Sequence, residues 1–142
     1  MTRQSVPLWS DKSSAPPLRL LQLSDFHADP MSLADIRHAV DLGLAEKPDL
    51  ICLTGDFITW KYDQWDEYAA ILARLPAAAP TFAILGNHDG GGWARHKGYA
   101  DNSLVRKMLE QAKIPLLHNR RELLEIAGRR FILAGLGDWW AD

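Results

Sequence analysis

The spacing of apolar positions changes several times along the chain, and each change marks an element. Residues 18–23 (Leu-Arg-Leu-Leu-Gln-Leu) form a short apolar run that ends in Ser24-Asp25, which predicts a buried strand. Through residues 31–46, Leu33, Ile36, Val40 and Leu44 recur at helical spacing, and Pro48 closes the segment. A second apolar run, 49–54, predicts a strand ending in the turn Gly55-Asp56. Trp65, Tyr68, Ile71, Leu72 and Leu75 then share one helical face, with Asp63 as the expected N-cap and the proline-bounded stretch 76–80 as the stop. Residues 81–85 read as a third strand running into Gly86-Asn87-His88-Asp89 and the loop Gly90-Gly91-Gly92. A third helix is expected over 103–113, with Leu104, Met108, Leu109 and Ala112 inward. Beyond Pro115, the runs 121–126 and 130–134 flank Ala127-Gly128-Arg129 and predict a hairpin or tight strand pair.

Strand, helix and strand in alternation imply an α/β fold: a mostly parallel sheet with flanking helices and right-handed crossovers, followed by a short antiparallel strand pair. Residues 1–17, rich in Ser, Pro and charge, read as a flexible lead-in to a domain over 18–142. Hydrophobic residues make up 47% of the chain and charged residues 24%, the profile of a soluble globular domain. The net charge of −2 lacks the basic excess of a phosphate-backbone binder, so general nucleic-acid binding is not expected, while a nucleotide substrate stays open. No apolar stretch approaches the roughly 20 residues of a membrane span, and the start lacks a signal-peptide core, so the localisation is cytoplasmic or unassigned. Cys52, the single cysteine, lies in Leu50-Ile51-Cys52-Leu53 and is expected to be a buried, inert thiol.

The chemistry concentrates where strands end. Asp25, Asp56 and Asn87 follow one another at intervals of thirty-one residues, and about 30 residues is one strand-helix-strand unit. Each lies just past the carboxyl end of a strand, the edge where open α/β sheets gather ligands. Asp25, His27, Asp56, Asn87 and His88 should therefore converge. Carboxylate oxygen, amide oxygen and imidazole nitrogen together suit a borderline divalent ion such as manganese, iron or zinc, whereas an all-oxygen cage would point to calcium.

Asp25-Phe26-His27, Gly55-Asp56 and Gly86-Asn87-His88-Asp89, in this order and each after a strand, resemble the calcineurin-like metallophosphoesterases over about residues 18–140. The resemblance implies the amino-terminal half of an α/β/β/α sandwich and a phosphohydrolase with a dinuclear metal centre that activates hydroxide for attack on a phosphate ester. It implies Asp25 and His27 on the first ion, Asp56 bridging both, and Asn87 on the second. His88 would be the catalytic histidine that serves the leaving oxygen, and Asp89 would orient its ring. Leu117-His118-Asn119 and Ala134-Gly135-Leu136-Gly137-Asp138 are similar to a subgroup of phosphohydrolases often tied to membranes, which allows a membrane-associated substrate.

Full members of that family also carry a later Gly-His-x-His motif, absent from this sequence, so each ion's shell is incomplete and the domain is expected to be unfinished at its carboxyl end. An exposed sheet face should follow, inviting a homodimer or swapped assembly. The competing function is a truncated, non-catalytic metal-binding or interaction module. Outside the motifs, His38 falls on the polar face of its helix and reads as solvated, and His96 and His118 read as loop and packing residues. Trp60, Trp93, Trp139 and Trp140 lie in or near the turns that should surround the site, where they either pack loops or wall an apolar substrate group.

Overall fold

Strand and helix alternate in the order the apolar spacing predicts. The computed structural model describes residues 2–7, 17–29, 32–92, 94–96 and 98–139. Three strands, β1 (Leu20–Leu23), β2 (Leu50–Thr54) and β3 (Thr81–Ile84), form a parallel sheet in the order β1-β2-β3. Register pairs Leu21 with Ile51 and Leu53 with Ala83, so alternate residues of all three strands share a face. On the far side of β3, Ala83 pairs with Leu116, and the amide of Leu117 donates to the Ala83 carbonyl at 2.8 Å.

Helices α1 (Leu33–Ala45), α2 (Trp65–Leu72) and α3 (Ser103–Gln111) cover one face of this sheet. Their buried residues Ile36, Val40, Tyr68, Ile71, Leu72, Val105, Met108 and Leu109 form one cluster with Ile51, Leu53, Ala83 and Leu85. Burying each large aliphatic side chain stabilises the fold by roughly 1.5–3 kcal/mol, and that gain holds the strand ends in place. The opposite sheet face is open. Leu20, Gln22, Cys52, Thr54, Phe82 and Ile84 point to it and remain exposed or half-exposed. Cys52 is therefore half-buried rather than buried, although its surroundings still raise the thiol pKa by desolvation, which keeps it protonated and unreactive.

The hairpin forms a separate antiparallel pair, β4 (Arg120–Ile126) with β5 (Arg129–Gly135). Its loop is two residues long, because Arg129 joins the ladder opposite Ile126. Ala127 and Gly128 both take positive φ, 51° and 70°, as a two-residue hairpin turn of matching twist requires.

The entry to α2 departs from expectation. The helix begins at Trp65 with Gln64 in the cap position and without a side-chain cap bond, so Asp63 does not serve as the N-cap. Negative charge at this helix end comes instead from Asp66 and Glu67. The preceding loop is held from a distance: the Tyr99 hydroxyl donates to the Tyr62 carbonyl at 2.6 Å and accepts from the Tyr62 amide at 3.2 Å. Within the lead-in, Arg3 forks onto the Glu46 carboxylate at 2.6 and 3.1 Å, while residues 8–16 lie outside those described. Among the described residues, no helix is long and apolar enough to cross a membrane.

Candidate metal centre

Pairing between β1 and β2 does not stop with the strands. The amides of Asp25, His27 and Ala28 donate to the carbonyls of Gly55, Asp56 and Phe57 at 3.1, 2.9 and 2.9 Å, so the first two turns stay in register with one another. To do so, Asp25, His27 and Asp56 adopt left-handed backbone conformations, with φ of 56°, 45° and 55°. That conformation costs a residue with a Cβ roughly 1–2 kcal/mol, and such strain gathers at functional sites. The third turn touches the second through glycine. A Cβ on Gly86 would lie 2.2 Å from Asp56 Oδ1, and one on Gly55 would lie 2.3 Å from the Gly86 nitrogen. No other residue fits at either position.

Asp89 ties these turns together. It is fully buried, and its Oδ2 accepts the amides of Gly86 and Asp56 at 2.8 and 3.0 Å. Its Oδ1 accepts the amide of Phe57 at 2.6 Å and, more weakly, that of Ile58 at 3.4 Å. These contacts give Asp89 a task other than orienting the His88 ring: both oxygens are committed to main-chain donors of two turns. Burial pushes its pKa up to about 7, the carboxylate of Asp56 adds to the rise, and the hydrogen bonds from Gly86, Phe57 and Ile58 oppose it.

The side chains that can hold an ion sit above this clasp. His27 places Nδ1 2.9 Å from the Thr59 hydroxyl, which leaves Nε2 facing Asp25 Oδ1 at 3.8 Å and Asp56 Oδ2 at 3.7 Å. Asp56 Oδ1 accepts the main-chain amide of His88 at 3.0 Å, and the His27 and His88 rings meet edge to face with centroids 4.7 Å apart. Ligand atoms of His27, Asp56 and His88 all lie within 4.8 Å of one another. Two donors about 2.1 Å from one ion sit about 3.4 Å apart in tetrahedral geometry, so the nitrogen and oxygen donors fit a divalent ion after small side-chain rotations. Asp25, Asp56 and Asn87 line an open cleft of about 290 Å³, together with Thr54, Gly86, Leu136, Gly137 and Asp138. The structure thus brings Asp25, His27, Asp56, Asn87 and His88 to one edge, with Asp89 beneath it.

Thr59 and Ser24 were not singled out from sequence, and Asp138 was named only as the end of a motif, without a role at the site. Thr59 holds His27 at Nδ1, the kind of outer partner that fixes a ligand's tautomer. Ser24 donates its hydroxyl to Asp25 Oδ2. Asp138 reaches the cleft because the Asn119 side chain accepts the Gly137 amide at 2.9 Å, so the segment after β5 bends back toward the strand ends. The only signal for Asp138 was its place in the Gly135-Leu136-Gly137-Asp138 run. His118 packs its ring so closely on Gly137 that a Cβ there would lie 2.4 Å from Cε1, in keeping with a packing role. His38 and His96 are exposed, as are Trp60 and Trp139; Trp93 and Trp140 lie outside the described residues.

Known proteins are similar to this chain in sequence. The chain is 37% identical over 134 residues to the phosphodiesterase YaeI of Escherichia coli (strain K12), an overlap of 92% of this chain and 47% of that protein. It is 28% identical over 125 residues to YkuE of Bacillus subtilis (strain 168), named an uncharacterized metallophosphoesterase, covering 84% of this chain and 41% of that one. The chain therefore spans less than half the length of each of these relatives. Among solved structures, TT1561 of Thermus thermophilus shares the fold, with a TM-score of 0.52 and 23% identity over 85% of this chain and 49% of its own. The model of the calcineurin-like phosphoesterases matches residues 18–142, the whole segment that carries the sheet, the helices and the three turns, and the chain belongs to that family.

Proposed function

We propose that this chain carries the metal-binding half of a phosphoesterase site and acts in the hydrolysis of phosphate esters, with diesters the first class to test. The observation that supports this most directly is the convergence of His27, Asp56 and His88 at the edge where Asp25 and Asn87 line the cleft. Two divalent ions, manganese, iron or zinc, suit the donors: Asp25 and His27 for one, Asn87 for the other, and Asp56 shared between them. When bound, such ions supply Lewis acidity toward phosphoryl oxygens and acidify water.

The chain's own residues set the geometry. Thr59 holds the His27 ring so that Nε2 faces the carboxylates. Asp56 uses Oδ1 to fix the His88 main chain while Oδ2 stays directed at His27, and the His88 imidazole, edge-on to the His27 ring, would give a proton to the departing oxygen. Asp89 works through the backbone, by holding Gly86 and residues 56–58 together. Leu136, 74% exposed, lines the cleft beside Asp138, and Trp139, next in sequence, is 87% exposed; these apolar side chains suit a lipid-like or aromatic group on the ester, including one presented at a membrane.

Manganese-loaded protein should hydrolyse bis(p-nitrophenyl) phosphate or p-nitrophenyl phosphate, and Asp56→Asn or His88→Ala should each lower kcat/KM by at least about 100-fold. Metal-loaded wild type that binds the ion and cleaves neither ester overturns the catalytic reading. That outcome would select a metal-binding module without turnover.

A further inference from the structure

We infer that Asp138 is a specificity-determining residue of the cleft, whose carboxylate disfavours a doubly charged phosphate monoester and leaves the singly charged diester as the preferred substrate class. The inference rests on the phosphoesterase reading above and deepens it, by assigning the choice of ester to a residue outside the three strand-end turns.

The way Asp138 reaches the cleft carries the argument. The segment after β5 is fastened to residues 117–119: Asn119 Oδ1 accepts the Gly137 amide at 2.9 Å. A Cβ on Gly137 would lie 2.4 Å from His118 Cε1, and one on Gly135 would lie 2.1 Å from the Leu117 carbonyl oxygen, so the close approach needs both glycines. Residues 115–117 are in turn tied to β3, because the Leu117 amide donates to the Ala83 carbonyl at 2.8 Å and the Ala83 amide donates to the Pro115 carbonyl at 3.0 Å. The same strand runs into the turn that carries Asn87. One strand therefore fixes both that turn and the wall formed by Leu136, Gly137 and Asp138, which lines the cleft with Asp25, Asp56 and Asn87. Asn119 and His118 act as positioning residues for this wall, which gives the Leu117-His118-Asn119 motif a task.

Charge decides what that wall does. The proposed function gives Asp25 and Asp56 to the ions, whereas Asp138 adds a carboxylate to the cleft that this reading assigns to no ion. A phosphate monoester loses its second proton near a pKa of about 6 and is a dianion above neutral pH, while a diester has one ionisable oxygen and stays a monoanion. A fixed carboxylate repels each of those charges, so the dianion is opposed twice where the monoanion is opposed once. The cleft is open to solvent, which screens the repulsion and makes it moderate and dependent on salt. Discrimination by repelling the wrong ligand is an ordinary way to build specificity, and it needs the charge held in place, as the Asn119 contact does.

Manganese-loaded wild type, Asp138→Asn and Asp138→Glu, each checked for folding by circular dichroism, test this on bis(p-nitrophenyl) phosphate and p-nitrophenyl phosphate above neutral pH. In Asp138→Asn the ratio of kcat/KM, diester over monoester, should fall by about 3- to 10-fold, chiefly through a lower KM for the monoester, and the fall should shrink in about 0.5 M salt. Asp138→Glu, which keeps the charge, should stay within about 2-fold of the wild-type ratio, and Asn119→Ala, which frees the Gly137 amide, should lower it. Calorimetry on the same loaded proteins should show inorganic phosphate binding about 3- to 10-fold tighter to Asp138→Asn, with dimethyl phosphate changing less. An unchanged ratio and unchanged phosphate affinity in folded Asp138→Asn would overturn the inference and leave the phosphoesterase reading standing. A change that persists undiminished in high salt, or that Asp138→Glu reproduces, would make Asp138 a structural residue and overturn it as well. Where loaded wild type cleaves neither ester, the phosphate calorimetry alone decides; loaded wild type that also binds no phosphate removes this inference and the phosphoesterase reading together.

Discussion

The strand-end turns and the β4-β5 hairpin invert the usual relation between regularity and fixation. The turns are irregular, polar and strained, with three left-handed residues, yet Asp89 and the extended β1-β2 pairing bind them at 2.6–3.1 Å through the contacts of Asp25, His27, Asp56, Phe57 and Gly86. The hairpin is the most regular element, seven residues paired with seven, yet one face carries Leu123 directly opposite Ile132 at 68% and 66% exposure. Local ladders finish the hairpin, whereas tertiary hydrogen bonds finish the site. Preorganisation of the candidate metal site comes from the second kind of bond, because it alone joins segments that lie thirty residues apart.

The sharpest way to break this comparison is at Asp89. Asp89→Ala leaves the amides of Gly86, Asp56 and Phe57 without their buried acceptor, and each such loss costs about 1–3 kcal/mol. Unfolding in urea should show a loss of at least about 3 kcal/mol, a large share of the roughly 5–15 kcal/mol typical of a domain. A loss below about 1 kcal/mol would mean that the turns are held by their glycines and strand pairing alone.

A smaller effect sharpens the same point through pH. The Asp89 carboxyl ionises near its ordinary 3.8 when unfolded but, pushed up by burial, at about 7 in the fold. Between those values the folded state binds more protons than the unfolded state, so stability falls as pH rises from about 4 to about 7 and levels off above. Thermal midpoints of metal-free protein across this range should decline in wild type. In Asp89→Asn, which cannot ionise, the slope should flatten. A wild-type midpoint that climbs through the window would show that the amide donors outweigh burial.

Most of this architecture was legible because its causes are local. Apolar periods along the chain mark the three strands and three helices, and polar residues after each strand mark Asp25, Asp56 and Asn87 as neighbours. What was illegible depends on partners far away in sequence. Asp63 had the right chemistry for a cap, but the Tyr99 hydroxyl, 37 residues from Tyr62, sets the loop and leaves the cap to Gln64. Asp89 stands beside His88 in sequence, which suggested a ring partner, while its actual partners are amides 31–33 positions away and Gly86. Thr59 could not be found at all, since nothing about a loop threonine says that a histidine 32 residues earlier will meet it. Cys52 was misjudged for a different reason: an apolar strand residue is buried only when both sheet faces are covered, and here one face is open.

The uncovered face of the β4-β5 hairpin sets the smallest expected effect. Leu123 and Ile132 face outward together, flanked in register by Arg121 with Ala134 and by Glu125 with Arg130. Since both side chains are already in water, replacing them removes little burial, and Leu123→Thr with Ile132→Thr should change the unfolding free energy by less than about 0.5 kcal/mol. Threonine also keeps the strand preference of the positions. The same pair of substitutions should reduce self-association, which an uncovered apolar strand pair promotes. Sedimentation of wild type over a range of concentrations should show reversible association that the double variant weakens. Equal association in both would place any contact between copies elsewhere, with the half-exposed Phe82 and Ile84 on the open face of the parallel sheet as the next positions to change.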